Sequence, residues 1–216
     1  MAIAFRQKAI AGSSSGVTSV VLAVPTGTVD GDVMVAVVEL SLSAQTVSTP
    51  SGWTALDSAN TGPTVATFRK VAASEPANYT FSWSGSAVVS GSIASYSGCN
   101  TSAPVNAHGA LNRTVGSTTV TANSVTTSVD GCMVLFVGGI NTNSAWTGPT
   151  SYTQRAVPQN GASAAVIAEF AQTSAGAVGS IAATASVSGN SYGGLIALAP
   201  PASASTASPG FRFGFR

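Results

Sequence analysis

Short runs rich in Val, Thr, Ile and aromatic residues recur from one end of the chain to the other. Clusters of Gly, Ser, Asn and Pro separate them, and apolar residues at helical spacing are nearly absent. The pattern predicts strands at about 2–10, 17–24, 32–41, 53–59, 64–72, 78–83, 87–97, 117–121, 131–140, 151–157, 164–172, 178–187 and 191–199. So many short strands must close into a barrel or stack as two sheets. The fold class expected is all-β: an antiparallel β-sandwich, jelly-roll-like and internally duplicated, over residues 1–200.

The duplication is visible as self-similarity at an offset of about one hundred residues. "TGTVDGDVMVAVVEL" (Thr26 to Leu40) has a partner in "VTTSVDGCMVLFVGGI" (Val125 to Ile140). "SGWTALDSA" around Trp53 answers "TSYTQRAVP" around Tyr152, "TVATFRKVA" answers "AAVIAEFAQ", and "VVSGSIASYSG" answers "SYGGLIALAP". The pseudo-repeats run over about 17–98 and 117–199. A double Greek key, each half giving strands to both sheets, fits this order, and two separate mini-sandwiches are the alternative. Asp30-Gly31 and Asp130-Gly131 each precede the most apolar strand of their half, where Gly accepts positive φ and Asp closes a turn, so they are expected to be turns rather than ligands.

Those two strands break the usual alternation. "VMVAVV" (Val33 to Val38) and "MVLFV" (Met133 to Val137) are apolar at every position, whereas a strand with one wet face alternates. Something must cover both faces: a loop, the N-terminal strand or a neighbouring subunit. The last would make the protein a homo-oligomer, with a trimer among the options. Alternation is better kept in "TVATFRKVA" and "NYTFSWSGS", where Phe68, Tyr79, Phe81 and Trp83 supply aromatic volume.

Composition narrows the function. The 216 residues suit one large β domain. Charged residues make up only 7% of the chain, against about 25% in ordinary soluble domains, and the net charge is +1. The surface is therefore rich in hydroxyls, and the scattered basic residues offer no footprint for nucleic acid. No apolar run approaches the roughly 18–20 residues that span a bilayer, so membrane insertion is not expected. "MAIAFRQKAIAGSSSG" places Arg6 and Lys8 inside its short apolar stretch with no signal-peptide core behind them, which points to synthesis in the cytoplasm. Cys99 and Cys132 are too few for a disulfide scaffold and are expected as buried free thiols.

Chemistry-bearing patterns are sparse. "GSSSG" (Gly12 to Gly16) matches the G-x-S-x-G spelling with Ser14 as nucleophile, yet it sits between two strands rather than at a strand-to-helix elbow. His108, the single histidine, lies in a loop-like stretch without a nucleophile or carboxylate at useful spacing. Seven carboxylates are scattered along the chain, and Asp30 with Asp32 lacks the acid density of a calcium loop. The expectation is no catalytic residue, no metal site and no cofactor: the protein is not an enzyme. Trp53, Trp83 and Trp146 are expected to fill the core or cap loop ends; Trp146 and Trp53 are the candidates for glycan binding in the alternative, because exposed aromatic platforms stack on sugar rings, and Trp146, in the loop "NTNSAWTGPTSY", is the one expected to be most exposed.

After Pro200-Pro201 the strand pattern stops, and residues 201–216 read as a linker followed by "GFRFGFR". Phe211, Phe213 and Phe215 alternate with Arg212 or Gly, and Arg216 ends the chain. Rings on one side and guanidinium forks on the other suit an arm that adds to a partner's groove or sheet edge. The alternative is that the arm folds back onto its own domain.

The order of "GDVMVAVVEL", "TPSGWTALDSA", "FRKVAASEPANYTFSW" and "GSIASYSG" resembles that of bacteriophage virion β-sandwich proteins of the minor tail or head-decoration type, over roughly residues 1 to 200. The resemblance implies a structural or attachment role in the virion rather than a reaction. The function expected is that of a minor tail protein assembling with other virion structural proteins through a sheet face and the C-terminal arm; the alternatives are a head-decoration protein or a carbohydrate-binding adhesion module that contacts a host-surface glycan. The resemblance carries over no functional residue. Tail placement is preferred to the capsid surface.

Overall fold

The structure is a computed structural model that describes residues 2–202. Every described strand pairing is antiparallel, and there is no helix among the described residues. The first half supplies β1 (Ala4–Ala23), β2 (Val33–Leu40), β3 (Thr54–Ala59), β4 (Thr64–Val71) and β5 (Asn78–Ser97). These form one sheet in the order β1-β5-β2-β4-β3.

The second half supplies β6 (Val105–His108), β7 (Asn112–Ala122), β8 (Thr126–Thr127), β9 (Cys132–Ile140) and β10 (Trp146–Thr147). It continues with β11 (Thr153–Ala156), β12 (Gln159–Asn160), β13 (Ser163–Gln172), β14 (Gly176–Ala177) and β15 (Ile181–Leu198). Its sheet runs β10-β15-β9-β13-β11, with β6 and β7 on β15 and β12 on β13, while β8 and β14 pair as a separate ribbon. The series β7-β15-β9-β13-β11 repeats the order of the first sheet strand for strand.

The two sheets pack face to face as a β-sandwich, but the partition differs from the expected one. Each half builds its own sheet instead of lending strands to both. Within each half the strands pair out of chain order, β2 lying between β4 and β5 and β9 between β13 and β15.

The same arrangement explains the doubly apolar strands. On β2, Val33, Val35 and Val37 face a core shared by the two sheets, where they meet Met133, Leu135 and Val137 of β9 together with Ile167, Ile196 and Leu198. The alternate residues Met34, Ala36, Val38 and Leu40 face a second core confined to the first half, closed by Val20, Leu22, Phe68, Phe81 and Trp83. β9 does the same in mirror image: Cys132, Val134 and Phe136 enter a third core with Val120, Trp146, Ala183 and Leu195. The chain covers its own strands, and a neighbouring subunit is not needed for that purpose.

The covers are the long outer ribbons. β1 and β5 pair along almost their whole lengths, with register shifts between Ser13 and Val17 and again between Val17 and Ser19. Past this irregular stretch the ribbon folds back over the sheet, so that Leu22 lies above Gly91, where an added Cβ would stand 3.3 Å from both Leu22 methyl carbons. Trp83 Nε1 donates to the carbonyl of Val17 at 3.0 Å and ties the folded ribbon together. Gly and Ser at the corner permit the bend without side chains in the way.

Candidate functional site

The indoles proposed for glycan binding are core side chains. Trp53 is 7% exposed and Trp146 6%. Trp53 packs edge-on against Tyr79 at 5.4 Å and Phe81 at 5.7 Å, and Trp146 lies in the third core. Both indole N–H groups lack a hydrogen-bond partner. Trp146 was expected to be the more exposed of the two; its loop instead turns the ring inward, because the residues facing it there, Ala183 and Ala185, leave volume to fill. The arm residues Phe211, Arg212, Phe213, Phe215 and Arg216 lie outside the described residues.

Ser14 and His108 are exposed, Ser14 at the irregular part of β1 and His108 at the end of β6 opposite Ile196. Cys99 and Cys132 are buried free thiols. Burial, with Asp32 as a lesser cause, pushes the Cys99 thiol up to about 12, and burial raises that of Cys132 as well.

All seven carboxylates hold parts of the fold together. Asp30 accepts the backbone N–H of Ser74 at 2.7 Å and Asp130 that of Ala175 at 2.7 Å, the same tie in each half. Gly31 and Gly131 sit beside them at φ values of 89° and 75°. The aspartates thus fasten a distant loop, while Asp32 accepts the N–H of Val29 at 3.0 Å and pairs with Arg6 at 2.5 Å. Asp57 bridges the halves by accepting the N–H of Leu111 at 2.5 Å. Glu75 takes Lys70 at 3.1 Å and the hydroxyl of Tyr79 at 2.5 Å, and the Tyr79 hydroxyl is raised by burial and by that carboxylate.

The remaining two lie between the sheets. Glu169 is held by both Nε and Nη2 of Arg155, at 2.8 and 2.5 Å, and the guanidinium covers the Phe5 ring at 4.5 Å. The charge of Glu169 adds to burial in raising the hydroxyl of Tyr96. Glu39 is fully buried; Ser163 donates to its Oε2, and Oε1 has no partner. Desolvation pushes its carboxyl well above the ordinary range, against the weaker opposing effect of the Ser163 hydrogen bond. Nearby, Ser90 donates to the Ser163 carbonyl at 3.0 Å, and Asn160 donates to Ser90 at 3.2 Å. Among the described residues, no three His, Cys, Asp or Glu side chains gather as a metal-binding group.

Cavities indent the surface formed by the described residues. One of about 620 Å³ is lined by Asn106, Asp130, Ala175 and the departing segment Ala199–Ala202, with no aromatic ring. A cavity of about 340 Å³ separates β1 from β12 around Gly12 and Asn160. Another, about 400 Å³, contains Tyr152 and Phe170, whose rings stack at 5.4 Å and 26°. Neither ring was a sequence candidate, although the alignment of Tyr152 with Trp53 was the available signal.

No family model matches this chain, and neither curated proteins nor solved structures include a match to it.

Proposed function

We propose that this chain is a non-enzymatic structural protein of a bacteriophage virion, a minor tail protein in preference to a head-decoration protein, joined to its neighbours through the C-terminal arm. The observation that carries the reading is the employment of the carboxylates: each of the seven has a backbone or side-chain partner that fastens a loop, a strand or the two sheets. Acid–base chemistry needs such groups presented to a substrate. Here they are spent on a rigid body whose two halves share one strand order, which suits a lattice component.

The sequence resemblance and the nearly uncharged, hydroxyl-rich composition point the same way. The body closes its own cores, so the doubly apolar strands no longer argue for an oligomer, and the assembly role falls to Phe211, Arg212, Phe213, Phe215 and Arg216. Other virion proteins, or a second copy of this chain, are the partners this arm suits, and the virion is the proposed location. Deleting Gly210 to Arg216 is expected to leave a body with unchanged melting behaviour that no longer incorporates into particles. Incorporation at the full-length level would remove the arm from the account.

A further inference from the structure

The two halves differ sharply at one corresponding corner. In the first half the turn Pro50 to Trp53 closes with Trp53 N–H donating to the Pro50 carbonyl at 3.1 Å, and Gly52 takes φ 80°. In the second half the turn Pro149 to Tyr152 closes in the same way at 3.0 Å, yet the left-handed position, φ 70°, belongs to Ser151. A non-glycine residue held there costs on the order of 1 kcal/mol or more, and such strain often accompanies a binding role.

Lys70 reaches over Gly52, so that a Cβ added at position 52 would stand 2.8 Å from its Nζ and the ammonium would have to shift. Lys70 also lies over the Tyr79 ring at 5.9 Å and pairs with Glu75. Tyr79 in turn packs on Trp53, so this corner of the first half is filled. Register places Phe170 where Lys70 stands, opposite Val134 as Lys70 is opposite Met34. It places Ile181 where Tyr79 stands, opposite Ala122 as Tyr79 is opposite Leu22. The smaller Ile181 and the absent ion pair leave the corner open as the groove of about 400 Å³.

The groove has a definite chemical character. Phe170 is 36% exposed, the one aromatic ring among the exposed large hydrophobic side chains described, and Tyr152 stacks beneath it. No charged side chain lines it; Ser151, Gln172 and Thr173 supply hydroxyl and amide groups. Gln172 Nε2 donates to Thr127 Oγ1 and to the carbonyls of Ser174 and Gly176, which fixes the amide and leaves Oε1 without a partner. The Tyr152 hydroxyl is likewise unpartnered. An ionic ligand would find no counter-charge, and a purely apolar one would leave the hydroxyls of the exposed rim residues Ser151 and Thr173 unmatched. A sugar ring, with an apolar C–H face and a rim of hydroxyls, matches both halves of the lining.

We propose that the groove around Tyr152 and Phe170 binds a neutral saccharide unit, with Phe170 as the stacking platform and Ser151 and Thr173 as the polar rim. The proposal is independent of the virion reading, because its test does not involve particle incorporation. The full chain, labelled with ¹⁵N, is titrated by NMR with maltohexaose, cellohexaose, N-acetylglucosamine tetramer and mannotriose, and with a uronic-acid trimer as the charged comparison. At least one neutral sugar is expected to shift the amides of Tyr152, Phe170, Gln172 and Ser174 saturably. Phe170→Ala should weaken that binding about tenfold. Ser151→Gly, which relieves the left-handed strain, should weaken it while the melting temperature holds or rises.

A panel that leaves these amides unmoved, or moves others instead, overturns the proposal. So does equal binding of the uronic-acid trimer. Loss of residues 203–216 that by itself shifts the Tyr152 and Phe170 signals would seat the chain's own end in the groove, and would overturn it too.

Discussion

Glu39 shows how one buried group shapes the interface between the sheets. Its side chain crosses from β2 toward β13 and rests above Gly139, where an added Cβ would stand 2.5 Å from Glu39 Cγ and 2.7 Å from Val65 Cγ2. Glycine is therefore required at 139 by the space the carboxyl stem occupies, and Gly139→Ala is expected to destabilise the fold by about 2–3 kcal/mol, read as a fall in urea midpoint. The carboxyl itself has a folded-state pKa above that of the unfolded chain, about 4.3. The folded form thus holds a proton that the unfolded chain releases as pH rises above that value. Its contribution to stability is complete at acid pH and declines as pH climbs toward the raised pKa. Glu39→Gln should remove this decline, so that the melting temperature of the variant gains on the parent between pH 5 and 8. Parallel profiles would mean that Glu39 is ionised in the fold, held by contacts other than the Ser163 hydroxyl.

Among the elements, the doubled-back ribbons decide which aromatic residues become core. Trp53, Phe81 and Trp83 fill the first half, whereas Trp146 fills the second, where Ala183 and Ala185 occupy the positions of Phe81 and Trp83. Trp53→Ala and Trp146→Ala are each expected to cost about 3–5 kcal/mol in chemical unfolding. A loss under about 1 kcal/mol at Trp146 would return that ring to the surface.

The central strands were legible from their patterns. Val33–Leu40 and Cys132–Ile140 stand close to the expected 32–41 and 131–140, since an apolar run between turn residues has few other structures to adopt. The outer ribbons were not: β1 was expected as two strands and is one of 20 residues, because the Gly and Ser of its middle mark a bend rather than an end. β6 was missed for the opposite reason: its four residues pair only at the edge of a neighbour 80 or more positions away, which no local pattern announces. The Tyr152–Phe170 groove was hidden because it depends on which side chain is missing at Ile181, a comparison that needs the register.

For the molecule as a whole, three cores built from the described residues cover both faces of the central strands β2 and β9. The seam between the sheets is both apolar and pinned, by Glu39 to Ser163 at one place, Asp57 to Leu111 at another, and Arg155 over Phe5 at a third. Such a seam favours unfolding of the two halves together rather than in sequence. The proposed function assigns association to the residues after Pro201 rather than to a sheet face.

Sedimentation velocity on the full chain and on a chain ending at Ala202, compared over a range of concentrations, tests that division most directly. The account predicts a folded monomer for the shortened chain at every concentration, and self-association or capture of a virion partner for the full chain alone. A shortened chain that still assembled, or that failed to fold, would contradict it.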